Sequence, residues 1–384
     1  MVTSSDCRAA STRFTSRFLP LLIVWPVWYW FARNSFPQIF QWWPATVAMI
    51  CGSFVAGSTP LGCGVVAFPV GALVLKFTGS ESRDISVLIQ SVGMNAAAYV
   101  LILYKRHLLD RTFIAFYIIG GTIGMAVAIG EIFNLPDSWI NLAYTVIVFE
   151  FGIFYAYRNL LLQETTVNQD EVVDVVDINN VNVRDSLDTS TLDAEEMEND
   201  IDLTFQCHST ATMFAMGVSA VIGGFMVGSV GTGSDIFLYI YGLLVWNVVH
   251  PHAALGDNVL TASSIVVMGV NSFIAVILRL VISPLLKHQH GGTNTTTTST
   301  FSPRVLETFA AMVPVVVVGA PLGSMILTPE RLPYLRCMFY FLALFQLTMF
   351  GVLKIKGAWQ SWLVIIFLTL IQLVALLVHH RRQR

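Results

Sequence analysis

Residues 362–378 read WLVIIFLTLIQLVALLV, seventeen positions without a charge. AMVPVVVVGAPLGSMIL (311–327) is of the same kind, and TVIVFEFGIFYAY (145–157) is broken only by Glu150. A helix needs about 20 apolar residues to cross a hydrocarbon core. In that solvent every backbone amide must be satisfied within the chain, so only helices and closed barrels span it. Barrel strands alternate apolar with polar residues over about 10 positions, and these runs do not alternate. The sequence therefore predicts an all-α polytopic membrane protein. Composition agrees: 55% of the 384 residues are hydrophobic and 12% charged, with mean hydropathy +0.68, whereas soluble domains carry roughly 25% charged residues. Spans are expected near 18–33, 85–104, 112–130, 140–161, 253–280, 305–327, 333–353 and 360–379.

The net charge of −3 hides a partition. Residues 163–207 hold thirteen of the twenty-four acids and one of the twenty-one bases. This loop, poor in large apolar groups, is expected to be without fixed structure and open to a protein partner. The remainder is mildly basic but forms no basic stripe, which argues against nucleic acid. The five cysteines are scattered and contain no C-x-x-C, so neither a disulfide framework nor a metal site is expected. No cofactor is expected either. Residues 1–17 form a basic tail before a retained first span, a transit peptide being the alternative. Arg8, Arg13, Arg17, Lys105, Arg106, Arg111 and the terminal HHRRQR fall on one side if the spans above are right. The positive-inside rule makes that side cytoplasmic, with both termini. The acidic loop then lies inside. The threonine-rich loop 288–302, with a glycosylation sequon at Asn294, lies outside, which favours a plasma or endomembrane location. Arg33, Lys76 and Arg279 are read as outer-side charges.

Two stretches, 44–77 and 211–247, fit no single span. Each is divided by a glycine-rich knot into halves of about 14–17 residues, too short to cross, as in a re-entrant pair or a tightly broken helix. FVAGSTPLGCGVVAFPVGALVL from Phe54 aligns with FMVGSVGTGSDIFLYIYGLLVW from Phe225. Gly57, Ser58, Gly62 and Gly71 meet Gly228, Ser229, Gly233 and Gly242 at one offset. IGGTIGMAVA (119–128) is answered by VGAPLGSMIL (318–327). Two copies follow, within 44–161 and 211–353. Each is a hairpin plus three spans, so the second enters the bilayer inverted; one extra helix flanks each end. Inverted repeats with paired broken helices mark secondary transporters. Irregular backbone survives at membrane depth where protein or a water-filled cavity supplies partners. Each knot starts a half-helix whose first N–H groups lack intrahelical partners and favour an anion. The bland alternative is that Gly-x-x-x-Gly patterns mark close helix packing.

At these residues the chain resembles the TauE/SafE family of sulfite exporter-like permeases. The resemblance rests on Gly57, Gly62, Gly64 and Pro69 in the first copy. In the second it rests on Gly228, Gly231 and Gly233, with HPHAALGDNVLTASS (250–264) following. It implies transport of small sulfur-containing or organic anions, commonly with proton coupling. The chain departs from the pattern at Cys63, at Ser234 and Asp235, and at Ile240, where a proline would match the first copy.

The expected anion site comprises Gly57, Ser58, Thr59, Gly62, Cys63 and Gly64 of the first knot. From the second come Gly228, Ser229, Gly231, Thr232, Gly233 and Ser234. Gln90, Ser91 and Asn95, with Thr261 and Ser263 as their approximate counterparts, line it from the following spans. Asp235 is the foremost proton carrier, because a carboxylate inside a membrane is costly and tends to be functional; the alternative is a helix-terminal carboxylate satisfied by backbone amides. Glu150 is a second candidate. Asp257 and Asn258 suit helix capping. The partners expected are a small anion, protons, lipid and, for an oligomeric assembly, further copies of the chain. His250, His252 and Asp257 give H-x-H-x4-D, a spacing that suits zinc and a membrane-embedded enzyme. No H-E-x-x-H, nucleophile elbow or P-loop supports that reading. A non-transporting scaffold is the third reading.

Overall fold

A computed structural model describes residues 24–33, 36–129, 136–176, 210–289 and 301–327, with parts of 337–370. Among these residues 90% are helical and none lies in a strand, as the apolar runs require. The elements are α1 (Val24–Ala32), α2 (Phe36–Phe40), α3 (Trp43–Ser58), α4 (Gly64–Pro69, continued by a π-turn at Val70–Val74), α5 (Gly79–Tyr104), α6 (Arg111–Ile129) and α7 (Asp137–Val176). They are followed by α8 (Thr210–Val230), α9 (Ser234–Tyr241, continued by a π-turn at Gly242–Trp246), α10 (Asp257–Gln289) and α11 (Pro303–Ile326). Six of these, α5, α6, α7, α8, α10 and α11, are long and apolar enough to cross a membrane.

The order around each knot recurs: a helix, a break, a short helix ending in a π-turn, then longer helices. In both copies the short helix folds back along the one before it. A Cβ on Gly52 would sit 2.8 Å from Val66 Cβ, and one on Gly223 3.3 Å from Phe237 Cβ. Further along, Tyr241 donates to the Thr212 carbonyl (2.6 Å). Both stretches are therefore hairpins folded at the knot. The halves are not equal, however: α8 has 21 residues and is long enough to span, where a half too short to cross was expected.

Small residues close the contacts between the copies. Gly120, Gly121 and Gly124 of α6 face α8, and Gly319 and Gly323 of α11 face α3. Without a hydrophobic force between helices in lipid, such close approach is what holds them together. α5 is the central element: 78% of its apolar window is buried, against 39–50% for the other five. Its N-terminus carries a capping box, Thr78 Oγ1 accepting from Glu81 N (3.2 Å) and Glu81 Oε2 from Thr78 N (3.1 Å). At its other end Lys105 Nζ donates to the Ser324, Met325 and Leu327 carbonyls that terminate α11 (2.9–3.1 Å). Burial holds the Lys105 amine below the usual lysine range.

α7 continues to Val176, into the acidic stretch expected to be unstructured. A helix already nucleated in a span propagates at little cost. Residues 177–209, the sequon at Asn294, and most of the two C-terminal spans lie outside the described residues.

Candidate functional site

The two knots meet. Gly62 adopts φ +65° and Gly231 and Gly233 adopt φ +93° and +136°, backbone that only glycine holds without strain. A Cβ on Gly62 would stand 3.3 Å from Asp235 Oδ2. One on Gly64 would collide with Gln90 and Ser86. The same two α5 side chains reach the other knot: Ser86 Oγ and Gln90 Nε2 both donate to the Gly231 carbonyl (3.2 Å each). Gln90 also donates to Ser86 Oγ (2.9 Å) and accepts from Ser272 Oγ (3.2 Å). Its amide thus joins α5 to knot 2 and α10, close against Gly64 of knot 1. Neither short helix has a side-chain cap: its N-cap, Cys63 or Gly233, offers none.

Asp235 is completely buried at the start of α9. Its Oδ1 accepts from the Ile236 amide (2.9 Å), while Oδ2, on the side of Gly62, has no partner. A carboxylate oxygen left unpaired in the interior is expensive. Nearby are Tyr144, within electrostatic range of both Asp235 and Cys63, and Asn271. The Tyr144 hydroxyl, the Ser229 hydroxyl and Asn271 Oδ1 are likewise buried without partners. Asn271 Nδ2 donates to Ser234 Oγ (2.6 Å) and to the Tyr117 carbonyl (3.2 Å). Tyr144 is fixed from below by a parallel stack on Phe68 of α4, 4.0 Å between centroids. The pairing of Phe68 and Tyr144 ties the hairpin to α7.

Other expected residues divide. Ser58 and Thr59 turn back to the carbonyls of Phe54 and Val55 (2.9 Å) and close the end of α3. Gly57 packs on the Ala320 carbonyl and Gly228 on Ala128 Cβ, so these two glycines serve helix packing. Cys63, Thr232 and Ser234 are buried at the knots. Ser91 bonds within its own helix, to the Leu88 carbonyl (2.7 Å), and Asn95 to the Ser91 and Gly269 carbonyls (2.7 and 2.8 Å). Thr261 and Ser263 are not the counterparts they were expected to be. Ser263 accepts from the Asp110 amide (3.0 Å), and the Thr261 carbonyl accepts from Ser264 (2.8 Å). It is Asn271 and Ser272, further along α10, that bring polar groups to the centre. The connection into α10 is about seven residues longer than that into α5, so α10 sits two turns out of the assumed register. Gly93 of α5 faces Cys63 and Val316; Asn271 of α10 faces Ser234 and Tyr117. The polar pair Asn271-Ser272 within VVMGVNSFIAV was visible in the sequence.

Glu150 lies on a different face of α7 from Tyr144, its Oε1 accepting from Thr369 (2.7 Å). Arg279, read as an outer charge, is 7% exposed and paired with Asp84. His250 packs its ring on Trp246, 4.6 Å between centroids, and His252 is exposed. Among the described residues no three His, Cys, Asp or Glu side chains gather as a metal would need.

A family model described as Sulfite exporter TauE/SafE matches residues 45–350. The match begins within α3, the first leg of the first hairpin, and takes in both knots and the helices that follow them. No curated protein and no solved structure gives a match.

Proposed function

The chain belongs to the sulfite exporter TauE/SafE family and is an integral multi-pass membrane protein of a transporter class; on that footing we propose that it carries a small anion, sulfite-like or organic, between its two glycine knots, coupled to protons on Asp235. The single observation behind this reading is the unpaired Asp235 Oδ2 beside Gly62 in a fully buried centre. Glycine strips side chains from the approach, so an anion meets bare amides at the starts of α4 and α9, where partial positive charge gathers. An ionised carboxylate there repels the anion. Protonation removes the repulsion and supplies a donor, so anion and proton occupy the site together. Tyr144 and Ser229 hold spare hydroxyl donors for the bound oxyanion.

The recurrence of hairpin and spans supports an inverted pair of repeats rocking about this centre, which is alternating access. The basic clusters support cytoplasmic termini. The test is flux of sulfite into proteoliposomes holding the full chain, with and without an imposed pH gradient. The reading expects the gradient to drive uptake in the wild type and to lose that power in Asp235→Asn. Equal uptake with and without the gradient in the wild type rejects proton coupling. Absence of flux for sulfite and for a panel of organic anions rejects the anion site.

A further inference from the structure

Arg279 lies inside α10, a span, at the end of the bundle where α5 begins. It is nine-tenths buried, and a cation in that position is retained for a reason. Its Nη1 pairs with Asp84 Oδ1, its Nη2 donates to the Gly228 carbonyl at the end of α8 (2.9 Å), and its Nε has no partner. Arg83 Nε bonds the same Asp84 oxygen (3.1 Å), and the Arg83 side chain is 21% exposed. Two guanidinium groups thus converge on one carboxylate oxygen, leaving net positive charge and an unused buried donor. Glu81 and Asp137, also at this end, are engaged, the first with Thr78 and Ser302 and the second with the Ser80 amide. The arginine cluster adjoins the second knot directly: a Cβ on Gly231 would stand 3.0 Å from the Arg83 carbonyl. Along α5, Gln90 lies six residues beyond Asp84, about 9 Å at 1.5 Å per residue.

From this we infer that Arg83 and Arg279 form a first binding site for a small oxyanion on its way to the knots, and that Asp84 occupies it as a built-in competitor until the anion arrives. The inference rests on the transport reading for its direction of travel, but not for the binding itself. Guanidinium presents a fork of donors suited to an oxyanion, and Arg83 spans the distance between the outside and the buried pair. When the anion takes the donors, Asp84 releases Arg279, and the clip from α10 to α5 is free to move.

The experiment is equilibrium binding of sulfite, with sulfate as a second probe, to the purified full chain in zwitterionic-lipid nanodiscs at constant ionic strength. Arg83→Gln is expected to weaken binding about tenfold, the loss of one charge-assisted contact, and Arg83→Lys to recover part of it. Asp84→Asn is expected to tighten binding severalfold, because the competitor is gone while the guanidinium groups stay. A purely structural clip predicts the reverse: Arg83→Gln binding as the wild type does, and Asp84→Asn losing thermal stability with no gain in affinity. Either of those results overturns the proposal, as does wild-type protein that binds neither probe. A lipid phosphate as the true occupant would show as Arg83-dependent binding of an anionic lipid together with a sulfite affinity that Arg83→Gln leaves unmoved, which also overturns it. Arg83-dependent binding in a protein without flux sinks the transport reading and leaves this one standing.

Discussion

Gly62 separates a transport site from ordinary helix packing. In Gly62→Ala the added methyl meets two obstacles. The residue holds φ +65°, where an L side chain costs about 1–2 kcal/mol. The methyl then lies 3.3 Å from Asp235 Oδ2 and 3.7 Å from Gln90 Cδ and Met94 Cε. These are side-chain atoms that yield by a few tenths of an ångström, so the fold survives with a modest loss. The methyl does, however, fill the space in front of the unpaired carboxylate oxygen. Gly57→Ala makes the opposite comparison: its Cβ would collide with the Ala320 backbone carbonyl, which cannot yield without separating α3 from α11. The assay measures thermal stability and sulfite flux per folded molecule in the same preparations. Gly62→Ala is expected to remain folded and lose flux by about tenfold or more, equivalent to 1.4 kcal/mol or more at the site. Gly57→Ala is expected to lose folded protein first. Normal flux per folded molecule in Gly62→Ala refutes the reasoning, because the space it fills would then carry nothing.

Asn271→Ala leaves Ser234 Oγ without its amide donor and is expected to cost about 1–3 kcal/mol by thermal melting, with a larger fall in flux than in stability. Tyr144→Phe keeps the stack on Phe68 and removes only an unpartnered hydroxyl; melting should be unchanged or slightly improved, and sulfite KM should rise if the hydroxyl binds the anion. Lys105→Met removes three bonds to the end of α11 and is expected to lower the melting temperature. Because burial lowers the folded Lys105 pKa below its ordinary 10.5, the unfolded chain binds more protons between those two values. This residue's contribution therefore favours the fold increasingly as pH rises through that window, and the slope should vanish in Lys105→Met.

The features readable in the sequence were those whose signal is local. Apolar runs located α5, α6, α7, α10 and α11, and glycine crowding located both hairpins. Asp235 stood out because a carboxylate among apolar neighbours has few innocent explanations. The features that escaped depend on register and on three-dimensional company. A connection about seven residues longer took Thr261 and Ser263 out of the positions assigned to them and left Asn271 and Ser272 facing the centre, and one constant offset cannot represent such a change. Arg279 resembles any cation near the end of a long helix until α5 brings Asp84 to it. Tyr144 is one of eleven tyrosines, and only the stack on Phe68 and the neighbourhood of Asp235 distinguish it. Gly57 and Gly228 carried the same signal as Gly62, yet they face helices and Gly62 faces the carboxylate.

The two halves of the site are alike in backbone and unlike in chemistry. Gly93, Cys63 and Val316 meet at the first knot, where Asn271, Ser234 and Tyr117 meet at the second. The first trio offers a small, dry surface. The second offers hydroxyl and amide groups, and Asp235 follows Ser234 directly. On the proposed function, an anion between the knots would be held from one side and only enclosed from the other. The arginine pair adds to the imbalance, since it adjoins knot 2 through Gly231. Exchanging the character of one position tests this. Cys63→Ser places a hydroxyl where Ser234 has its counterpart, at nearly constant volume. If holding resides in knot 2, Cys63→Ser should leave sulfite KM within about twofold of the wild type, while Ser234→Ala raises it by about tenfold, the worth of one good hydrogen bond. Equal effects from both substitutions would mean that the knots share the anion evenly and that the asymmetry is incidental to transport.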